Sequence, residues 1–361
     1  MVSAICRYVG VVLFMLAGST AWAQSALTPA PGCNDASATD PKILDHAPAR
    51  CQPGSPPPTP LSAPVTITLV TGTVTIESFA PIALGLARGE FAKENLKVEV
   101  QVIPSNDSLS LLANGKVDVQ WNAPDGGFLN AVSQGFELAW VAGNFSPSPN
   151  SRSGLWARKG MTVADLRGKT ISSVTGPGSV IMYPIAAALQ QGGVNPTDVI
   201  VQRFDAASGI VAFRNNAVQG IWLLDPAWTQ FVNDPDYTFL KGQPLGEPLG
   251  GPIFGPSLLK QNRAAGAAFI RAFVRIVNTY FAGDYKANPD FVKEMAGFIK
   301  APPEAVANTP SNVWDWEIRA GTVERIQAAT MQAKALSYTA PMPESRLVDR
   351  DFYQQAVGRR R

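Results

Sequence analysis

Between residues 65 and 232 the chain alternates short apolar runs with segments of helical period, and such an alternation folds as layered α/β structure. Thr66-Ile-Thr-Leu-Val reads as a strand, and Gly72-Thr-Val-Thr turns the chain into a helix with Phe79, Ile82, Ala83 and Leu86 on one face. Strands near 97–102, 117–121 and 137–142 then alternate with helices near 107–113 and 126–134. A second set opens after Leu155, with a helical turn and strand over 163–174, helices near 180–191, 206–215 and 227–232, and strands near 199–203 and 219–223. Beyond Gly250 the period is helical, near 264–281, 289–299, 313–331 and 349–357. Helices without a sheet of their own need an earlier layer to pack on.

A length of 361 residues accommodates two modest cores. The balance of 30 basic and 28 acidic residues, with no basic cluster except Arg359 to Arg361, argues against nucleic acid as a partner. Residues 1–23 read as a signal peptide: Arg7 supplies the charge, Val9 to Ala17 the apolar stretch, and Ala21-Trp22-Ala23 the cleavage site before Gln24. The run from Ala264 to Phe281 is broken by Arg271 and Arg275, so no membrane insertion is expected and the exported chain is placed in the periplasm. Cleavage removes Cys6 and leaves Cys33 and Cys51, an even pair in an oxidising compartment, expected to form a disulfide. With 17 residues between them, the link stabilises its own loop by about 3 kcal/mol in the chain-entropy model. Residues 24–64 form a Cys-paired, Pro-rich extension, whose composition from Ala47 to Pro64 cannot bury enough apolar surface to fold, so the folded body is expected from Val65.

Several blocks resemble one family. Gly85-Leu-Ala-Arg-Gly-Glu-Phe, Leu96-Lys-Val-Glu-Val and Leu111-Leu-Ala-Asn-Gly-Lys-Val-Asp-Val are similar, in order, to the first lobe of the solute-binding proteins of sulfonate, taurine and nitrate ABC importers. Ala164-Asp-Leu-Arg-Gly-Lys-Thr-Ile, Gly192-Gly-Val-Asn-Pro-Thr-Asp-Val, Val211-Ala-Phe-Arg-Asn-Asn-Ala-Val-Gln-Gly-Ile-Trp and Asp225-Pro226 resemble blocks of the second lobe. The likeness covers about residues 65 to 357. It implies a two-lobed α/β fold of the type II periplasmic-binding-protein kind, its lobes joined by a two-segment hinge and the C-terminal helices packed on the first lobe. It also implies crossings near Gly154 to Ala157 and Pro252 to Gly255, so that residues 65–155 and 254–361 make lobe 1 and 156–253 lobe 2. The departures fall at the cleft. Where alkanesulfonate carriers tend to have Ser-Ser-x-His, this chain has Thr175-Gly-Pro-Gly-Ser-Val, and Pro177 lacks an N–H. Leu224 stands where the family has Trp before Asp-Pro, and Trp222 lies two positions earlier.

Ligands of α/β sheets sit outside the carboxyl ends of strands. Four such ends carry the candidate ligand-binding residues, each with two readings. Thr73 and Thr75 offer hydroxyls and amides, or a plain turn. Asn122 and Asp125, beside Trp121, offer an amide and a carboxylate, or cap the next helix. Thr175, Gly176 and Ser179 enter a helix whose free N–H groups suit an anion, or Ser179 is its N-cap. Trp222 stacks on a ligand or fills the core, and Asp225 binds, or caps a helix with Pro226 at its first position. No Lys or Arg occurs in these segments, which points to a neutral or cationic ligand with a ring or apolar body, with Phe145 and Trp228 assisting.

The resemblance implies the extracytoplasmic substrate-binding component of an ABC importer, a monomer that closes on a small-molecule ligand and delivers it to a membrane permease driven by an ATPase. A periplasmic ligand sensor, or an enzyme on the same fold similar to pyrimidine-precursor synthases, are the alternatives. His46, in the extension, is the only histidine, which excludes histidine-based catalysis and histidine metal sites from the folded body. No cofactor, metal or catalytic residue is expected.

Overall fold

The computed structural model describes residues 55–72, 76–281 and 284–358. The signal segment, His46, Cys33 and Cys51, Thr73 and Thr75, and the terminal arginines lie outside the described residues. In chain order the elements are β1 (Val65–Thr71), α1 (Ile76–Ala87), β2 (Leu96–Val102), α2 (Ser105–Ala113), β3 (Val119–Asn122), α3 (Gly126–Ser133), β4 (Ala139–Trp140) and β5 (Phe145–Ser146). Then come β6 (Gly154–Arg158), β7 (Thr170–Ser173), α4 (Met182–Gln191), β8 (Ile200–Arg203), α5 (Ala206–Arg214), β9 (Gly220–Leu223) and β10 (Tyr237–Gly242). The chain ends with β11 (Gly251–Phe254), α6 (Arg263–Tyr280), α7 (Pro289–Ile299), α8 (Pro303–Ala307), β12 (Val313–Trp314), α9 (Thr322–Gln332) and α10 (Asp351–Ala356).

These strands make two five-stranded sheets, ordered β2-β1-β3-β11-β4 and β10-β6-β9-β7-β8. In the first, β2, β1 and β3 are parallel and β11 runs antiparallel between β3 and β4. In the second, β8, β7 and β9 are parallel, while β6 and β10 run antiparallel. Two parallel arms of this kind direct their strand ends, and hence their loops, toward one another. Against the expected bounds at 155/156 and 253/254, the second sheet begins at Gly154 and the first resumes at Gly251. A small clasp of β5 with β12 ties the C-terminal part to the segment just before the outward crossing.

On the first sheet, α1 lies against α6 and α7, and α10 against α6. Gly85 permits the α1–α6 approach, since a Cβ there would stand 2.4 Å from Ile276 Cδ1. Phe91 stacks on Phe269 and Trp121 meets Phe273 edge-on, so one apolar core joins both stretches of the chain.

Three expectations need correction. The helix expected over 313–331 begins only at Thr322; Val313 and Trp314 form β12, and Trp314, Trp316, Ile318 and Arg319 are all buried, leaving no polar face for a helix. β10 and β11 were not expected: β10 is half-buried almost throughout, and β11 lies where only a hinge was read. The extension does not end its docking at Val65. Thr59 N and Leu61 N donate to Glu94, Arg271 donates to the Thr59 carbonyl and Thr279 to Ser55 Oγ, so residues 55–64 are fastened to lobe 1 by polar bonds that composition does not reveal.

That fastening belongs to a buried ion cluster. Arg275 Nε and Nη1 contact Glu90 and Glu94 at 2.8 and 2.6 Å, Arg271 Nε donates to Glu94 at 3.1 Å, and Tyr280 Oη donates to Glu90 at 2.6 Å. Burial works to raise both carboxyls, but the hydrogen bonds from the arginines, joined at Glu90 by Lys93 and Tyr280, outweigh it and hold both below the ordinary carboxylate range. Their contribution to stability is therefore complete above the unfolded-chain value of about 4.3 and is lost as pH falls through the lowered folded values. Glu94→Gln is expected to destabilise the protein by about 3–5 kcal/mol near neutral pH, because two arginines lose their buried partner. It should also flatten the acid limb of the stability profile, both effects being read from urea unfolding at a series of pH values.

Candidate functional site

The carboxyl ends of β1, β3 and β9 face a cavity of about 310 Å³ between the two sheets, within the range that holds small organic ligands. The first sheet contributes Thr71 and Gly72 after β1, Trp121, Asn122 and Ala123 at the end of β3, Ser78 from α1, and the loop residues Asn144, Phe145 and Pro147. The second contributes Ser153, Val180 and Ile181 before α4, Leu224 and Asp225 after β9, and Gln243 after β10; Leu249 and Gly250 on the returning strand complete the lining. The returning chain must be glycine there, since a Cβ on Gly250 would stand 3.1 Å from both Asn122 O and Asn144 Nδ2.

Among the described residues, Asp225 is the one charged residue of this lining. Its Oδ1 accepts from Trp228 Nε1 and, at 3.4 Å, from Ser151 Oγ. Burial pushes its pKa up, and the hydrogen bonds from Trp228, Ser153 and Ser151 together with the more distant charge of Lys286 only partly oppose this. Trp121 donates Nε1 to Ser78 O at 2.6 Å, which fixes the indole edge at the cavity wall. Asn144 Oδ1 accepts from Phe145 N at 2.6 Å, orienting its amide.

Contacts across the cleft hold the two sheets together beside the cavity. Gly126 N, the first amide of α3, donates to Gly178 O at 2.8 Å. Glu247, buried on the return crossing, accepts from Tyr183 Oη of α4 at 2.7 Å and from Thr322 Oγ1 and Arg325 Nε of α9 at 2.6 and 3.0 Å. Burial, and then the adjacent Glu247, push the Tyr183 hydroxyl well above the ordinary phenol range, so it stays a donor.

Of the sequence-predicted residues, Asn122 and Asp225 line the cavity, and so does Phe145. Asp125 instead caps α3, accepting from Gly127 N and Phe128 N at 3.0 and 3.2 Å. Trp222 is 1% exposed, packed in the core and absent from the lining. Thr175, Gly176 and Ser179 also stand off the lining: Ser179 Oγ donates to Thr175 Oγ1 at 2.7 Å, Gly176 abuts Arg203, and α4 starts at Met182 with Ile181 rather than Ser179 before it. Trp228 is buried and acts through Asp225. Pro226 does not open an α-helix; a short 3-10 turn, Ala227–Gln230, follows it. Asn144 was legible as the end of the apolar run through Val141, whereas Gln243 follows a strand the sequence reading missed.

A family model described as NMT1/THI5 like matches residues 77–275. No curated protein matches the sequence. Among solved structures, the alkanesulfonate-binding protein SsuA from Xanthomonas axonopodis, bound to MOPS, is 17% identical with a TM-score of 0.57, the match covering 77% of this chain and 96% of that one. A putative periplasmic sulfonate-binding protein from Methylobacillus flagellatus is 16% identical with a TM-score of 0.64, covering 82% and 95%. The nitrate-binding protein NrtA from Synechocystis is 14% identical with a TM-score of 0.54, covering 84% and 90%. At such identities the likeness is one of fold, and the fold is the two-lobed type II periplasmic-binding-protein fold.

Since Asp125 holds two amides of α3, Asp125→Ala is expected to lower stability by about 1 kcal/mol. Asp125→Asn should recover most of that loss in equilibrium unfolding.

Proposed function

The chain belongs to the NMT1/THI5-like family, and from that premise we propose that it is the extracytoplasmic substrate-binding component of an ABC importer. It captures a small organic solute between its lobes and delivers it to a membrane permease driven by an ATPase. The observation that carries the reading is the cavity itself, lined from the strand ends of both sheets. In this reading residues 65–155 and 254–361 act as one lobe and 156–253 as the other. A monomer exported to the periplasm by cleavage before Gln24 and closed at Cys33 and Cys51 by a disulfide completes it, a bond detectable as the loss of two hydrogens in the intact mass. Among the described residues no helix is long and apolar enough to cross a membrane. Catalysis is not proposed: His46 is the only histidine of the chain, and among the described residues Asp225 is the only ionisable side chain lining the cavity.

Closure rests on contacts made to both lobes at once, since a ligand shifts an equilibrium only by its differential affinity for the two states. Outside the cavity lining, Glu247 joins Tyr183 of α4 to Thr322 and Arg325 of α9, so Tyr183 bears on the other lobe through Glu247.

Thermal unfolding in the presence of sulfonates, nitrate, aromatic carboxylates, pyrimidines and amines tests the proposal. A cognate solute at a hundred times its dissociation constant adds about 2.7 kcal/mol of stability, and silence across all classes would count against a carrier. Tyr183→Phe is expected to weaken binding by about tenfold, the worth of one hydrogen bond to a charged group. Small-angle scattering should show a more open free form, and unchanged affinity and dimensions would remove Tyr183 from the closure.

A further inference from the structure

Two of the helix starts at the cleft, those of α3 and α4, have amides or hydroxyls already engaged. At α3, Gly126 N donates to Gly178 O while Gly127 N and Phe128 N donate to Asp125. Before α4, Ser179 Oγ donates to Thr175 Oγ1 and to Gly176 O, and the residues facing the cavity are Val180 and Ile181. An anion entering the cavity therefore meets an apolar wall where a helix start would otherwise hold it.

The charge of the lining points the same way. Among the described residues Asp225 is its only charged member. Lys286, whose charge reaches Asp225 from outside the lining, donates to Thr309 and Pro310, and Arg152 lies over Phe239. The hydrogen bonds that reach Asp225 come from neutral donors, the Trp228 indole and the Ser151 and Ser153 hydroxyls. Asp225 belongs to a motif shared with sulfonate-type carriers, so the carboxylate alone does not define a ligand. What defines it is a carboxylate with no basic residue beside it in the lining, facing the half-buried ring of Phe145, the indole edge of Trp121 and the amides of Asn122, Asn144 and Gln243.

We infer that the ligand class is a small organic cation, an amine or quaternary ammonium with a ring or short alkyl body, whose charge pairs with Asp225 and whose body lies against Phe145, Val180 and Ile181. This rests on the carrier reading above. A buried carboxylate gains most from a cation that arrives already carrying an apolar surface, because the same event desolvates both.

Three probes of one body and different charge test it: benzylamine, benzyl alcohol and benzenesulfonate, titrated calorimetrically into the full mature chain at about pH 8, above the ordinary carboxylate range. Benzylamine is expected to bind about tenfold or more tightly than benzyl alcohol, and benzenesulfonate most weakly. Asp225→Asn, which keeps an oxygen acceptor for Trp228, should remove the preference for the amine over benzyl alcohol. Gln243→Lys, which leaves Asp225 in place, should invert the order in favour of the sulfonate. Tighter binding of benzenesulfonate or benzyl alcohol by the unaltered chain, lost when the cavity is filled through Ala123→Trp, overturns the cation and leaves the carrier standing. Failure of all three probes to bind the unaltered chain and both charge variants overturns the cation and the carrier reading together.

Discussion

Glu90 and Glu94 on one side, and Arg271 and Arg275 on the other, join stretches of chain that lie 177 to 185 residues apart. The first lobe is discontinuous, so its sheet begins in one half of the sequence and its covering helices arrive only after the second lobe is built. Apolar packing of Phe91 on Phe269 brings the two stretches together, but packing of similar rings tolerates slippage. Two carboxylates and two guanidiniums in a fixed fork do not, since any slip leaves a buried charge unpaired. With α6 fixed in this way, α1 and α10 find their places on it and α7 packs against α1, while β11 is fixed between β3 and β4 at the edge of the cavity.

The alternation of strands and helices was legible because the periods of 2 and 3.6 differ wherever an element has one solvated face. It failed where burial is uniform. The segment from Val313 to Arg319 carries Trp, Ile and Arg side chains that are all enclosed, and Arg319 is satisfied by Asp315 and by the Gly246 carbonyl, a pairing that depends on a chain crossing far away in sequence. The docking of Pro56 to Thr59 escaped for a related reason: it is made by main-chain groups with Glu94 and Arg271, to which composition is blind.

At the cleft, the general expectation that ligands gather at strand ends located Asn122, Phe145 and Asp225 from sequence. It also named Asp125, Thr175 and Ser179, which lie at similar chain positions but satisfy their own turns. Cap and ligand contact draw on the same residue types, because each is an oxygen offered to a free amide. Only the placement of the partner lobe separates them: the Gly178 carbonyl comes to Gly126, and the amides that might have faced a ligand are taken.

Asp225 shows what the arrangement demands of the fold. Its pKa is raised by burial, so the folded chain holds that proton to a higher pH than the unfolded chain does. Stability associated with the group is therefore present below the unfolded value, falls as pH rises toward the folded value, and stays low above it. The fold thus disfavours the charged form of this group, with Trp228, Ser151 and Ser153 giving partial compensation and Lys286 acting from outside the lining. On the proposed reading, a cationic occupant would offset that cost once enclosed between Val180 and Ile181 on one side of the cavity and Phe145 and Asn122 on the other. The unfavourable charge and the closure of the lobes are then one coupled equilibrium, and a carrier that is less stable when empty is the physical counterpart of one that closes when filled.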